Sequence, residues 1–245
     1  MKAPFRYLVY REAVMSMKYL KSSITGFMSI SIMFLLFRLS MVCGNLASAF
    51  DFGEEVGAVV NPMLIGLDFT PVVMLGAMLM SLAESDEHET AVGWRRFRMT
   101  LPVSPWKYAL AKFTFVAIIL AAAMVLGIIY MAISCSISGT AFDGRMIGMI
   151  LVIFTMMLAF AMLMKILVFV FGSMEKAGVA AVFISLFAVA PIMFREDRNE
   201  APNLNAMNEL FDKAAELAPF MPLIMIGLLG LGYVVTALML KRRER

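Results

Sequence analysis

The residues of this sequence that are best placed to do chemistry are suited to contact, not to bond-making. Glu84-Ser85-Asp86-Glu87-His88-Glu89 supplies the acidic first turn of a helix, and Asp86 with Glu89 has the spacing of a capping box. Thr90, Trp94, Phe97 and Leu101 then share one helical face, with Arg95, Arg96 and Arg98 spread around the rest. Trp, Phe and Arg are the side chains that dominate protein interfaces, so this stretch reads as a docking helix. The plainer alternative is a solvated basic loop. Bond-making has no comparable set. A single histidine, His88, rules out a centre held by several imidazoles. No G-x-x-x-x-G-K-[ST] occurs, nor even a Gly-Lys dipeptide, so nucleotide phosphates have no P-loop cradle. No acid/base cluster marks a hydrolase, and the chain is expected to be neither an enzyme nor the holder of a cofactor.

Three ionisable residues fall inside apolar stretches and are candidates for a buried charge or a translocation path: Arg38, Asp68 and Lys165. Arg38 and Asp68 lie at similar depth near the outer ends of neighbouring stretches, which makes an ion pair between them a reasonable expectation. Lys165 is within ~10 Å of the inner boundary at ~1.5 Å per residue. Its stem therefore reaches far enough for the ammonium to snorkel to water; the alternative is a place on an inner cavity, facing an anionic group.

The elements that carry these residues are set by composition. Of 245 residues, 62% are hydrophobic and only 16% charged, and the mean hydropathy is +0.86. A soluble domain is about half apolar and a quarter charged, so lipid is this chain's main solvent. A helix needs roughly 20 apolar residues to cross ~30 Å of hydrocarbon with its peptide groups bonded internally. Runs of that kind predict spans at Ile24–Cys43, Met63–Ala83, Lys112–Ser134, Ile147–Phe171, Ala177–Phe194 and Phe220–Leu240. The fold class expected is thus an all-α membrane protein of about six helices, a single polytopic domain over 1–245.

Basic residues resist translocation and fix the orientation. With the N-terminus inside, fifteen Lys and Arg fall in inner segments and four outside: Arg145, Arg195, Arg198 and Lys213. Both termini are therefore expected in the cytoplasm, with segment 84–107 beside them. Since topology accounts for the basic residues, the net charge of +3 gives no ground for a nucleic-acid partner. Ala47-Ser48-Ala49 fits a signal-cleavage pattern, but the apolar run before it is too long and contains Arg38, so the first span is expected to stay. Cys43 and Cys135, both near outer span ends, are read as small apolar packing residues, with a disulfide as the alternative.

Segments outside the spans have helical patterns of their own. Residues 1–23 predict a helix lying in the inner interface, with Phe5, Leu8, Val9, Met15, Tyr19 and Leu20 on one arc and Arg11, Lys18 and Lys21 opposite. Glu12 breaks the apolar arc and needs a basic partner from the next inner segment or an exposed position. Within segment 195–219, Asn205–Ala218 predicts an amphipathic helix resting on the outer leaflet or dipping into it, bounded by Pro202 and Pro219. After Leu101-Pro102, Ser104-Pro105 gives an N-cap with proline at the first helical position.

In this order of elements the chain resembles the small permease subunits of the ABC type-2 transporter family. The resemblance spans nearly the whole chain and is carried by the interfacial first helix, six spans, Glu84 at the inner end of the second span, and Leu101–Phe113, LPVSPWKYALAKF. It implies two permease copies, or a copy and a close paralogue, in the plasma membrane of a prokaryote, joined to separate ATPase subunits that bind ATP and Mg. It also implies that Glu84, Glu89, Trp94, Arg95, Arg96, Phe97, Arg98 and Leu101 form the coupling helix, and that an apolar or amphipathic cargo, with peptides among the candidates, is exported. A secondary carrier or channel working without ATP, and a membrane anchor that transports nothing, are the competing readings.

Overall fold

The computed structural model describes residues 5–43, 68–79, 103–173, 175–182, 212–213 and 215–243, and among them every regular element is helical. Four described helices are long and apolar enough to cross a membrane, at Tyr19–Ser40, Pro105–Ser138, Gly144–Val168 and Ala215–Lys241. They correspond to the first, third, fourth and sixth expected spans. Only part of the second span is described, as helix α2, Thr70–Ala77. Of the fifth span, only the helical stretch 175–182 is described.

Helix α1, Phe5–Cys43, is continuous over 39 residues, about 58 Å at 1.5 Å per residue. The interfacial helix expected over 1–23 is thus not a separate piece but the first turns of the spanning helix. The reason is local: no Gly or Pro occurs between Phe5 and Thr25. The two hydroxyls at the expected junction do not cap a new helix. Instead Ser23 Oγ donates to the Tyr19 carbonyl at 3.4 Å and Thr25 Oγ1 to that of Lys21 at 2.8 Å, so the ladder runs through.

Helix α3, Pro105–Ser138, starts as the sequence predicts: the Ser104 hydroxyl accepts from the Lys107 amide, and Pro105 opens the first turn. Gly139 ends it at φ 66°, a left-handed position that suits glycine, where its amide meets the Cys135 and Ser136 carbonyls. Asp143 then caps α4, Gly144–Phe171, by accepting from the amides of Arg145 and Met146 at 3.0 and 3.1 Å. Gly172, at φ 72°, closes α4 in the same left-handed way. The last helix, α5, Met221–Arg243, grows out of a 3-10 turn at Ala218–Phe220. Pro219 sits inside that turn, where its missing amide costs nothing, so the outer segment is not broken off from α5 at Pro219 as the sequence suggests.

Helix α3 is the axis of the bundle and touches α1, α2, α4 and α5. It runs parallel to α1, since Glu12 meets Lys112 and Phe27 meets Tyr130. It runs antiparallel to α4, since Cys135 meets Met146 and Lys165 meets Phe113. Helix α5 brings Tyr233 back to Trp106 and Phe113, near the start of α3. The described ends of the chain, at Phe5 and Arg243, therefore lie at the same end of the bundle. The core between the helices is apolar and rich in methionine and phenylalanine, with Val72, Leu75, Ile150, Phe154 and Leu158 fully buried.

Candidate functional site

The charged residues of the bundle gather at three places along α3. At its start, Glu12 and Lys112 are 4% and 6% exposed, with Lys112 Nζ 3.8 Å from Glu12 Oε2. Arg11 Nη1 lies 3.4 Å from Glu12 Oε1. The Tyr108 ring, buried one turn before Lys112, faces both cations: the Arg11 guanidinium carbon is 5.4 Å and Lys112 Nζ 5.3 Å from its centroid. The residue that spoils the apolar arc of α1 is thus the anchor that fastens α1 to α3. Sequence reasoning named Lys112 only as a residue of the inner flank and did not single it out for this role.

At the next residue of α3, Phe113, Lys165 of α4 is buried and holds its Nζ 5.5 Å above the ring. The residue is 8% exposed and its head meets a ring, where the reach of its stem suggested an extended, snorkelling chain. Gly232 of α5 makes this packing feasible. A Cβ there would stand 2.7 Å from Phe113 Cε1 and 2.9 Å from Met162 Sδ.

Towards the far end of the seam, Arg38 Nε donates to Asp68 Oδ1 at 3.0 Å and its Nη2 to Asp68 Oδ2. This two-pronged geometry matches the planar guanidinium to the carboxylate and ties α1 to the head of α2. The pairing inferred from depth is present in the structure. Further out, Arg145 Nε reaches Asp212 Oδ1 at 3.2 Å on the exposed surface, linking the start of α4 to the segment before α5. Cys135 is buried with its Sγ 3.3 Å from Met146 Sδ, and Cys43 is exposed; both are free thiols.

Glu84, Glu89, Trp94, Arg95, Arg96, Phe97, Arg98 and Leu101 lie outside the described residues, and so does most of segment 195–219. On the C-terminal side, the Ser104 cap fixes where α3 begins, and Tyr108 and Lys112 stand one and two turns beyond it. The stretch from Glu84 to Leu101 therefore feeds directly into the helix that carries the buried charges. Among the described residues, no group of His, Cys, Asp and Glu has the arrangement of a metal site.

The family model for the ABC-2 family transporter protein matches residues 56–240. No curated protein and no solved structure matches the chain. The match runs from before α2 to near the end of α5 and takes in the three described spanning helices after the first, so the chain belongs to the ABC-2 family of transporter membrane proteins, as a permease.

Proposed function

We propose that this permease is the membrane-spanning subunit of an ATP-driven exporter, and that the segment Glu84–Leu101 is the lever on which a separate ATPase subunit acts. The observation that carries this reading is the construction of the start of α3. The segment joins α3 at a capped terminus, and within two turns that helix is fastened to α1 through Glu12 and Lys112. A push on Trp94 and Phe97 would then move α1 and α3 together, since rigid helices joined by a buried ion pair shift as bodies. ATP and Mg would bind the partner, since the chain has no P-loop. The positive-inside bias sets Glu84–Leu101 and both termini in the cytoplasm, across the plasma membrane of a prokaryote. The apolar interior favours an apolar or amphipathic cargo, with peptides among the candidates. A second copy of the chain, or a close paralogue, would complete the pathway.

The test is co-purification. Trp94→Ala with Phe97→Ala should abolish recovery of the ATPase with the permease, while insertion into the membrane is kept. An unchanged yield of complex would refute the assignment of the lever.

A further inference from the structure

Several hydroxyls on these helices bond back to a carbonyl one turn earlier. Ser23, Thr25, Ser136, Ser138 and Thr155 do so, on Tyr19, Lys21, Ala132, Ser134 and Leu151. Three others do not. Ser31 Oγ, Tyr130 Oη and Ser134 Oγ are sealed from solvent and have no hydrogen-bond partner among the described residues. Their residues are 6%, 4% and 1% exposed.

The three are not scattered. The ring of Tyr130 meets Phe27 edge-on, with centroids 6.4 Å apart. Ser31 is one turn beyond Phe27 on α1, and Ser134 one turn beyond Tyr130 on α3, which runs the same way. Ser31 also lies close to the midpoint of the Tyr19–Ser40 span. An unmatched hydroxyl in hydrocarbon costs free energy that packing does not return, and no water reaches it there from the lipid side. Three along one seam mean that the closed contact of α1 with α3 leaves donors unmatched, which an opened contact would satisfy.

We infer that the α1–α3 seam opens to a polar crevice within the membrane, in which Ser31, Tyr130 and Ser134 donate hydrogen bonds to the oxygens of entering water. This deepens the transport reading, on which it rests, by assigning a wetted surface inside the protomer: α1 and α3 stay fastened at Glu12 and Lys112 and part further along, at the level of Ser31 and Ser134. The Arg38–Asp68 pair, bridging α1 and α2, bounds the crevice on its outer side.

The experiment uses the full chain in lipid nanodiscs, where both membrane faces meet the solution, with Cys43→Ala and Cys135→Ala. Ser31→Cys and Ser134→Cys are each exposed to a trimethylammonium methanethiosulfonate. Ile32→Cys, 52% exposed and at the same depth but turned towards lipid, is the comparison. Thiolate, the reacting form, is scarce in an apolar medium, by about tenfold for each unit the thiol pKa rises, so a wetted cysteine should react about tenfold faster or more. Rates equal to that of Ile32→Cys at both positions would overturn the proposal. Tyr130→Phe, which removes only the hydroxyl, should leave the thermal midpoint unchanged or raised. A lowered midpoint would mean that the hydroxyl is already bonded in the closed seam, and would also overturn it. The labelling reads this chain alone and the co-purification reads its complex with the ATPase, so failure of ATPase co-purification would leave the crevice standing, and failure of the crevice would leave the docking result untouched.

Discussion

Lys112 Nζ stands 3.8 Å from Glu12 Oε2, and neither side chain is more than 6% exposed. A buried charge is tolerated in a low-dielectric interior only when it is paired and bonded, so each of these residues conditions the other. The consequence is mechanical. Helix α1 begins outside its own membrane span, at Phe5, and its extra turns are held to α3 at the point where the segment from Glu84 to Leu101 joins that helix.

Removing one partner should therefore be worse than removing both. Glu12→Met should lower stability by about 3–5 kcal/mol, the range for breaking a buried ion pair, and Lys112→Met by less, because Arg11 stays 3.4 Å from Glu12. The double Met variant should recover much of that loss. Thermal unfolding of the purified protein in detergent reads the difference. A double variant as unstable as the two single losses combined would mean that the pair does not couple.

The bidentate contact of Arg38 with Asp68 makes a charge-order prediction. Arg38→Glu and Asp68→Arg each place like charges together near the outer ends of α1 and α2, and each should reduce folded yield and transport. The exchanged pair, carrying both reversals, should regain part of both, because the attraction depends on opposite sign and not on which helix holds the cation. Yield measured by size-exclusion chromatography, with no recovery in the double variant, would count against a role for the pair as a linked unit.

Much of this architecture is legible in the residues, and the parts that are not have physical causes. Apolar length gives the four described spanning helices, since the bilayer sets that length directly. Ser104-Pro105 gives the start of α3 because a cap needs only local groups. Depth along each span brings Arg38 and Asp68 together, a pairing that the structure contains. Burial of Lys165 is not legible, because reach tells how far a side chain can extend and not whether a ring such as Phe113 receives it. The continuity of α1 is missed for a similar reason: the polarity of the sequence changes at Ser22-Ser23, but those residues make no break. Glu12 illustrates both sides of this, since its position on the apolar arc marks it as needing a partner while only the packing of α3 on α1 supplies which one.

Two glycines of α5 separate close packing from simple helix propensity. Gly227 has nothing within 4 Å of where a Cβ would stand, whereas a Cβ on Gly232 would press on Phe113 Cε1 and Met162 Sδ at 2.7 and 2.9 Å. In a helix interior alanine is favoured over glycine by up to about 1 kcal/mol, so Gly227→Ala should be neutral or slightly stabilising. Gly232→Ala must displace a ring held between Tyr233 and the Lys165 ammonium, and overpacking of that kind costs about 1–3 kcal/mol. The expected order of thermal midpoints is thus Gly227→Ala at or above the parent and Gly232→Ala below it. Equal midpoints would mean that α5 does not approach α3 and α4 as closely as the Phe113–Gly232 contact requires, and the burial of Lys165 over that ring would lose its support.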